Sequence, residues 1–197
     1  MKKLLLTLSA VAVLGLAANA QTEKGKIMLG GQVTYQGHSI KDSDTKSNEF
    51  SIIPNVGYFV ADNIAVGTGI GYSWNERQNG PDTKNNYSSF VVAPFGRMYS
   101  NNEGPVKFFG QLTVPMSWGT EKLNGDKTST TANYGVELAP GVAYFPTSNL
   151  GIEFKVKGLF YNNGSSTDEA TDVKSTVNTY GLNVNSLAPT VGVTFHF

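Results

Sequence analysis

The stretch IAVGTGIGYSWN, residues 64–75, places Ile64, Val66, Thr68, Ile70, Tyr72 and Trp74 at every second position, with Ala65, Gly67, Gly69, Gly71, Ser73 and Asn75 between them. A period of two is the signature of a β-strand, whose side chains point alternately to opposite faces of the sheet. The bulky face must meet an apolar medium. In a soluble barrel that medium is the interior, and the outside is then polar and charged. Here the opposite face is glycine and alanine, a poor solvating surface and a good lining for a narrow, crowded lumen. The apolar side therefore reads as the outside of a barrel that sits in lipid.

The same division recurs along the chain. In GVELAPGVAYF (135–145) the bulky side is Val136, Leu138, Pro140, Val142 and Tyr144, and Glu137 shares the other side with glycine and alanine. In IEFKVKGLFY (152–161) Ile152, Phe154, Val156 and Phe160 oppose Glu153, Lys155 and Lys157. Val106, Phe108, Leu112, Val114, Met116 and Trp118 likewise oppose Lys107, Gln111, Thr113 and Ser117. Eight strands are predicted, at 26–37, 49–60, 64–75, 87–99, 105–118, 130–145, 149–161 and 178–197, with parity slipping in the last between Val184 and Leu187, where NSLAP (185–189) reads as a bulge. Their connections alternate between short turns (61–63, 100–104, 146–148) and long hydrophilic loops (38–48, 76–86, 119–129, 162–177). An up-and-down meander sends alternate connections to opposite ends, so one end carries tight turns and the other four polar loops. The fold expected is all-β, an eight-stranded antiparallel up-and-down transmembrane β-barrel.

An eight-stranded lumen is just wide enough to be filled by side chains. Glu49, Arg97, Lys107, Glu137, Glu153, Lys155 and Lys157 are expected to point inward, four positive and three negative charges able to pair. Buried charges persist only where partners or trapped water satisfy them. Tracing the strands up and down gives two aromatic girdles: Tyr35, Tyr72, Trp74, Trp118, Tyr134 and Tyr180 toward the long loops, and Tyr58, Tyr144, Phe195 and Phe197 toward the short turns.

The amino terminus is written differently. Lys2 and Lys3, the apolar run Leu4–Ala18 and the small-x-small Ala18-Asn19-Ala20 spell a signal peptide over residues 1–20, leaving 21–197 as a single barrel domain of 177 residues. Removing Lys2 and Lys3 from the 15 Lys and Arg leaves 13 against 15 Asp and Glu, a net charge of −2 that offers nothing to nucleic acid. There is no cysteine, hence no disulfide or lipidated thiol, and stability rests on backbone hydrogen bonds and burial.

Three stretches, IIPNVGYFVADNIAVGTGIGYSWN (52–75), APFGRMY (93–99) and the terminal VGVTFHF, give a resemblance that spans essentially the whole mature chain. The sequence resembles the small outer-membrane β-barrel proteins of Gram-negative bacteria, the family that includes relatives of outer membrane protein X and of the transmembrane domain of outer membrane protein A. The resemblance implies residence in the outer membrane among lipid and lipopolysaccharide. It also implies that a last strand ending in an aromatic residue, here Phe195 and Phe197, is read by the barrel assembly machinery.

Signals for chemistry are weak. Gly67, Gly69 and Gly71 lack the third glycine of a dinucleotide fingerprint, that place being Tyr72, and no helix follows. Asp42 and Asp44 begin like a calcium loop, but Lys46 stands at the next ligand place and the glycine is missing. His38, beside Ser39 and near Asp42 and Asp44, and His196 are the only histidines, and the loop acids Asp168, Glu169 and Asp172 form no recognisable metal set. No cofactor, metal or enzymatic activity is expected. The reading is a monomeric barrel with a plugged polar interior whose external loops contact lipopolysaccharide, host surfaces or other cells; the alternative is a narrow pore for ions or small solutes, and a third is a lipid-modifying enzyme.

Overall fold

The structure, a computed structural model, describes residues 21–40, 45–80, 82–183 and 190–197. The proposed signal peptide and the slip expected at 185–189 lie outside these residues. Among the described residues eleven strand segments run in chain order: β1 (Ile27–Ser39), β2 (Lys46–Ala61), β3 (Ile64–Gln78), β4 (Lys84–Tyr99), β5 (Val106–Thr113), β6 (Met116–Leu123), β7 (Asp126–Tyr144), β8 (Leu150–Lys155), β9 (Gly158–Asp168), β10 (Lys174–Asn183) and β11 (Thr190–His196). They make eight staves. β5 and β6 are halves of one, both pairing β4 on one side and β7 on the other. The ladder breaks between them at Val114 and Pro115, since proline has no N–H to give. β8 and β9 share β7 as a neighbour, and β10 and β11 complete the eighth stave. Every pairing is antiparallel, and the barrel closes where β11 meets β1 with Met28 opposite His196 and Gly30 opposite Thr194. Ile27 and Phe197 exchange both backbone hydrogen bonds at 3.0 and 2.9 Å, so the terminal residue lies in the closing seam.

The expected faces hold along most staves. Ile64, Val66, Ile70 and Tyr72 are exposed on the outer wall, and Ala65 between them is fully buried inside. β2 and β3 approach closely: a Cβ on Gly67 would lie 2.2 Å from the Val56 carbonyl oxygen, and one on Gly71 2.2 Å from that of Ile52. Glycine at these places is a packing requirement.

Three features differ from expectation. The segments read as long loops at 76–86, 119–129 and 162–177 are largely strand, so the barrel wall continues past the apolar band. The tightest example is the β6–β7 hairpin, turned by Asn124 and Gly125 alone, with φ of 52° and 99°. That is the two-residue turn whose twist suits a hairpin, and it needs positive φ at both positions. Second, Phe160 is not on the outer face. Leu138 faces Leu159 and Gly141 faces Lys155, so two residues of β7 oppose three of the neighbouring stave. The extra residue, at Val156–Gly158, reverses the inside–outside assignment beyond it. Leu159 and Tyr161 are consequently exposed outward, and Phe160 shares the face of Glu137. Gly158 makes the bulge feasible, with φ of 63° and the Leu138 carbonyl oxygen 2.1 Å from where a Cβ would stand.

Third, the lumen is not lined by charge and glycine throughout. At the short-turn end it is a hydrophobic core of Met28, Phe59, Ala65, Phe95, Tyr99, Phe109, Ala143 and Phe145.

Candidate functional site

The site is the lumen itself, built in tiers. The innermost tier is aromatic. β2, β4, β5 and the end of β7 each bring a bulky residue inward near the short turns, and the rings contact one another: Phe59 to Tyr99 at 6.0 Å, Tyr99 to Phe109 at 5.6 Å, Phe145 edge-on to His196 at 5.2 Å between centroids. Such spacings are those of stacked and edge-to-face aromatic pairs. Ala65 and Ala143, both fully buried, leave room for the rings.

The next tier is polar and centred on Arg97 of β4. Its Nη1 donates to Glu153 Oε1 at 2.5 Å and to the Tyr99 hydroxyl at 2.8 Å, while Nε and Nη2 donate to Gln111 Oε1 at 2.8 and 2.6 Å. Thr194 Oγ1 also donates to Glu153 Oε1, at 3.1 Å, so the carboxylate from β8 ties β4 to β11. Arg97 and Glu153 are each only 6 % exposed. The guanidinium carbon sits 4.4 Å from the Phe109 ring centroid, and so caps the aromatic tier while its nitrogens face the polar one. A charge this deep is tolerated because a counter-charge and several hydrogen bonds surround it.

Beyond Arg97 the lumen widens into a cavity of about 430 Å³ bordered by Gln32, Asn55, Gln111, Lys155 and Thr190. Asn55 Oδ1 is buried there without a hydrogen-bond partner among the described residues. Toward the hairpins the lining becomes Ser51, Ser89, Tyr87, Ser129 and Thr131, and Ser129 Oγ donates to Glu121 at 2.8 Å.

The opposite mouth is covered. Residues 21–26 cross beneath the barrel: Thr22 Oγ1 donates to Asn63 Oδ1 at 2.6 Å, Gly25 N to the Phe59 carbonyl at 2.8 Å, and the Gln21 carbonyl lies 2.5 Å from His196 Nδ1. Thr22 and His196 are buried, so this segment is packed against the aromatic tier.

The predicted interior charges thus fall in different places. Arg97 and Glu153 meet, and Lys155 lines the cavity beside them. Glu137 is half-buried opposite Phe160, and Glu49 is half-buried opposite Gln36 and Asn75. Lys107 joins no acid among the described residues; its ammonium reaches Asn63 Oδ1 at 3.3 Å and the Asn102 carbonyl at 3.2 Å at the inner mouth. Lys157 is exposed in the bulge with its ammonium 4.1 Å from the Phe160 ring centroid. The girdle residues Tyr35, Tyr58, Tyr72, Trp118, Tyr134, Tyr144 and Tyr180 are exposed on the wall, as is Phe195, and Trp74 is half-buried. Trp118 donates its indole N–H to the Tyr134 hydroxyl at 3.1 Å.

Alternation alone missed the aromatic tier, yet its signal is in the sequence. Tyr58-Phe59, Met98-Tyr99, Phe108-Phe109 and Tyr144-Phe145 are consecutive bulky pairs near the short-turn ends, and of two such neighbours on a strand one must face in.

Comparison with known proteins agrees with this architecture. No curated protein matches the chain. Among solved structures, Neisserial surface protein A superposes with a TM-score of 0.51 at 15 % identity, covering 88 % of this chain and 98 % of its own. The outer membrane protein OprG from Pseudomonas aeruginosa superposes with a TM-score of 0.52 at 13 % identity, covering 91 % and 99 %. At such identities the likeness is one of fold. The outer membrane protein beta-barrel domain family matches residues 6–197, and the chain belongs to that family of the bacterial outer membrane.

Proposed function

We propose that this protein is a non-conducting, non-catalytic barrel that serves as a rigid outer-membrane support for its projecting hairpins. The observation that carries this reading is the aromatic tier closed by Arg97 above and by residues 21–26 below. A narrow pore needs a continuous water path, and Phe59, Tyr99, Phe109, Phe145 and His196 occupy that path with ring contacts between 5.2 and 6.5 Å. Among the described residues neither histidine stands in a catalytic constellation: His196 is buried in the tier, and His38 is exposed near the end of β1, with Asp42 and Asp44 outside the described residues.

On this reading the chain is exported by residues 1–20 and cleaved after Ala20, the seam residues Phe195 and Phe197 present the assembly address, and the monomeric barrel offers its four outer connections to lipopolysaccharide, host surfaces or neighbouring cells. The absence of cysteine makes a direct test available. Single cysteines at Ala139, fully buried in the lumen, and at Ser175, exposed on β10, are treated in folded protein with a small charged thiol reagent. The plugged reading expects Ser175→Cys to react and Ala139→Cys to resist from both sides. Rapid labelling of Ala139→Cys in folded protein would show a water path and return the pore.

A further inference from the structure

The outer wall carries a graded ladder that neither the lumen nor the fold requires. Across β3, β4 and β6, one outward rung is Tyr72, Phe90 and Trp118; the next is Trp74, Ser88 and Thr120; the third is Glu76, Asn86 and Lys122. Along a strand these rungs stand two residues, or about 7 Å, apart. The wall therefore passes from rings to hydroxyls to charge over the distance in which a bilayer passes from acyl chains to headgroups. Between the rungs lies a cleft of about 290 Å³, lined by Tyr72, Trp74, Ser88, Thr120, Lys122, Asn86 and Glu76, whose carboxylate is neutralised by Lys84 at 2.7 Å.

The charged rung is not balanced. Lys122 lies directly opposite Lys127 of β7 in the register. Like charges facing across a strand pair are destabilising unless an anion intervenes. Lys127 is bound by Glu169 at 2.6 Å and Lys84 by Glu76 at 2.7 Å, whereas Lys122 has no ion pair among the described residues. Asn86, opposite both Glu76 and Lys122, keeps its side-chain oxygen buried without a hydrogen-bond partner among the described residues.

We propose that this cleft seats the phosphorylated sugar headgroup of an outer-leaflet glycolipid, with Lys122 taking the phosphate. Ser88 and Thr120 are placed to hydrogen-bond the sugar hydroxyls. Tyr72, Phe90 and Trp118 lie below, against the start of the acyl chains. An ammonium–phosphate contact is charge-assisted and supplies the affinity; the hydroxyl rung supplies preference for a sugar over a simpler phospholipid. The inference concerns the outer wall and stands whether or not the lumen conducts.

Of the two tryptophans of the chain, Trp74 lines the cleft and Trp118 stands one rung below it, so tryptophan emission reports its occupancy. Full-length mature protein, folded in an amine-oxide detergent and checked by unheated-gel mobility, is titrated with lipid A, with dephosphorylated lipid A and with phosphatidylglycerol, following tryptophan emission and the bound mass by native mass spectrometry. Lipid A should bind saturably. Removing its phosphates, or making Lys122→Gln, should weaken binding about tenfold or more, while Lys174→Gln on the β10 rim leaves it unchanged. Wild-type affinity in a folded Lys122→Gln protein, equal binding of phosphatidylglycerol, or no saturable binding by the wild type would each overturn the proposal.

Discussion

Removing Glu153 while leaving Arg97 in place tests what holds the lumen together. The guanidinium is 6 % exposed and, among the described residues, makes its one ionic contact with Glu153, at 2.5 Å; Gln111 and Tyr99 are neutral partners that remain. Breaking a buried pair by deleting one partner costs about 3–5 kcal/mol, because the other charge stays buried without compensation. Glu153→Ala should therefore lower the folding equilibrium by about a hundred-fold to several thousand-fold, at about 1.4 kcal/mol per factor of ten. Glu153→Gln retains an acceptor for Arg97 and for Thr194 and loses only the charge, so its cost should be smaller, about 1–3 kcal/mol. Arg97→Met with Glu153→Met removes both charges and should cost less than either single deletion. The assay is reversible urea unfolding in phospholipid vesicles, read by tryptophan emission and by gel mobility without heating. Single deletions costing under about 1 kcal/mol, or a double variant costing the sum of the two, would refute the claim that these residues act as one buried pair.

Other consequences follow from particular contacts. Gly67→Ala should destabilise by about 1–3 kcal/mol, because its Cβ meets backbone of β2, whereas Gly110→Ala, with nothing within 4 Å, should be nearly neutral; equal effects in urea unfolding would contradict the close approach of β2 and β3. Asp168 accepts from the Thr171 hydroxyl and from the Thr171 and Ala170 amides, which hold its carboxyl below the ordinary aspartate range. The β9–β10 turn should thus keep its order above the usual aspartate pKa and lose this contribution as pH falls through the lowered value, seen as faster amide exchange at Ala170 and Thr171; a pH-independent protection pattern would contradict it. Deleting Phe197, which closes the seam with Ile27, should reduce outer-membrane levels while export continues, and unchanged levels by membrane fractionation would remove it from the assembly address.

Alternation made the staves and the outer wall legible, because lipid outside and a narrow lumen inside demand opposite side chains at successive positions. Three things escaped it. A bulge leaves no periodic trace, so the parity reversal at Val156–Gly158 hid the inward turn of Phe160 and is marked in the sequence only by a glycine. Strand built from serine, threonine and asparagine looks like loop, which is why the walls at 162–168 and 174–177 read as a connection. Pairing within the lumen depends on height along the barrel as well as on face: that Arg97 meets Glu153 from 56 residues away while Lys107 binds carbonyls needs the register of every stave between them, and Lys157, expected inside, is exposed at the bulge.

The most direct measurement is single-channel conductance of the folded mature protein in a planar bilayer, beside a Phe59→Ala/Phe145→Ala variant that thins the aromatic tier. The account predicts silence from the wild type, with conductance appearing only when the rings are removed. Steady conductance by the folded wild type, unchanged by the double substitution, would contradict it.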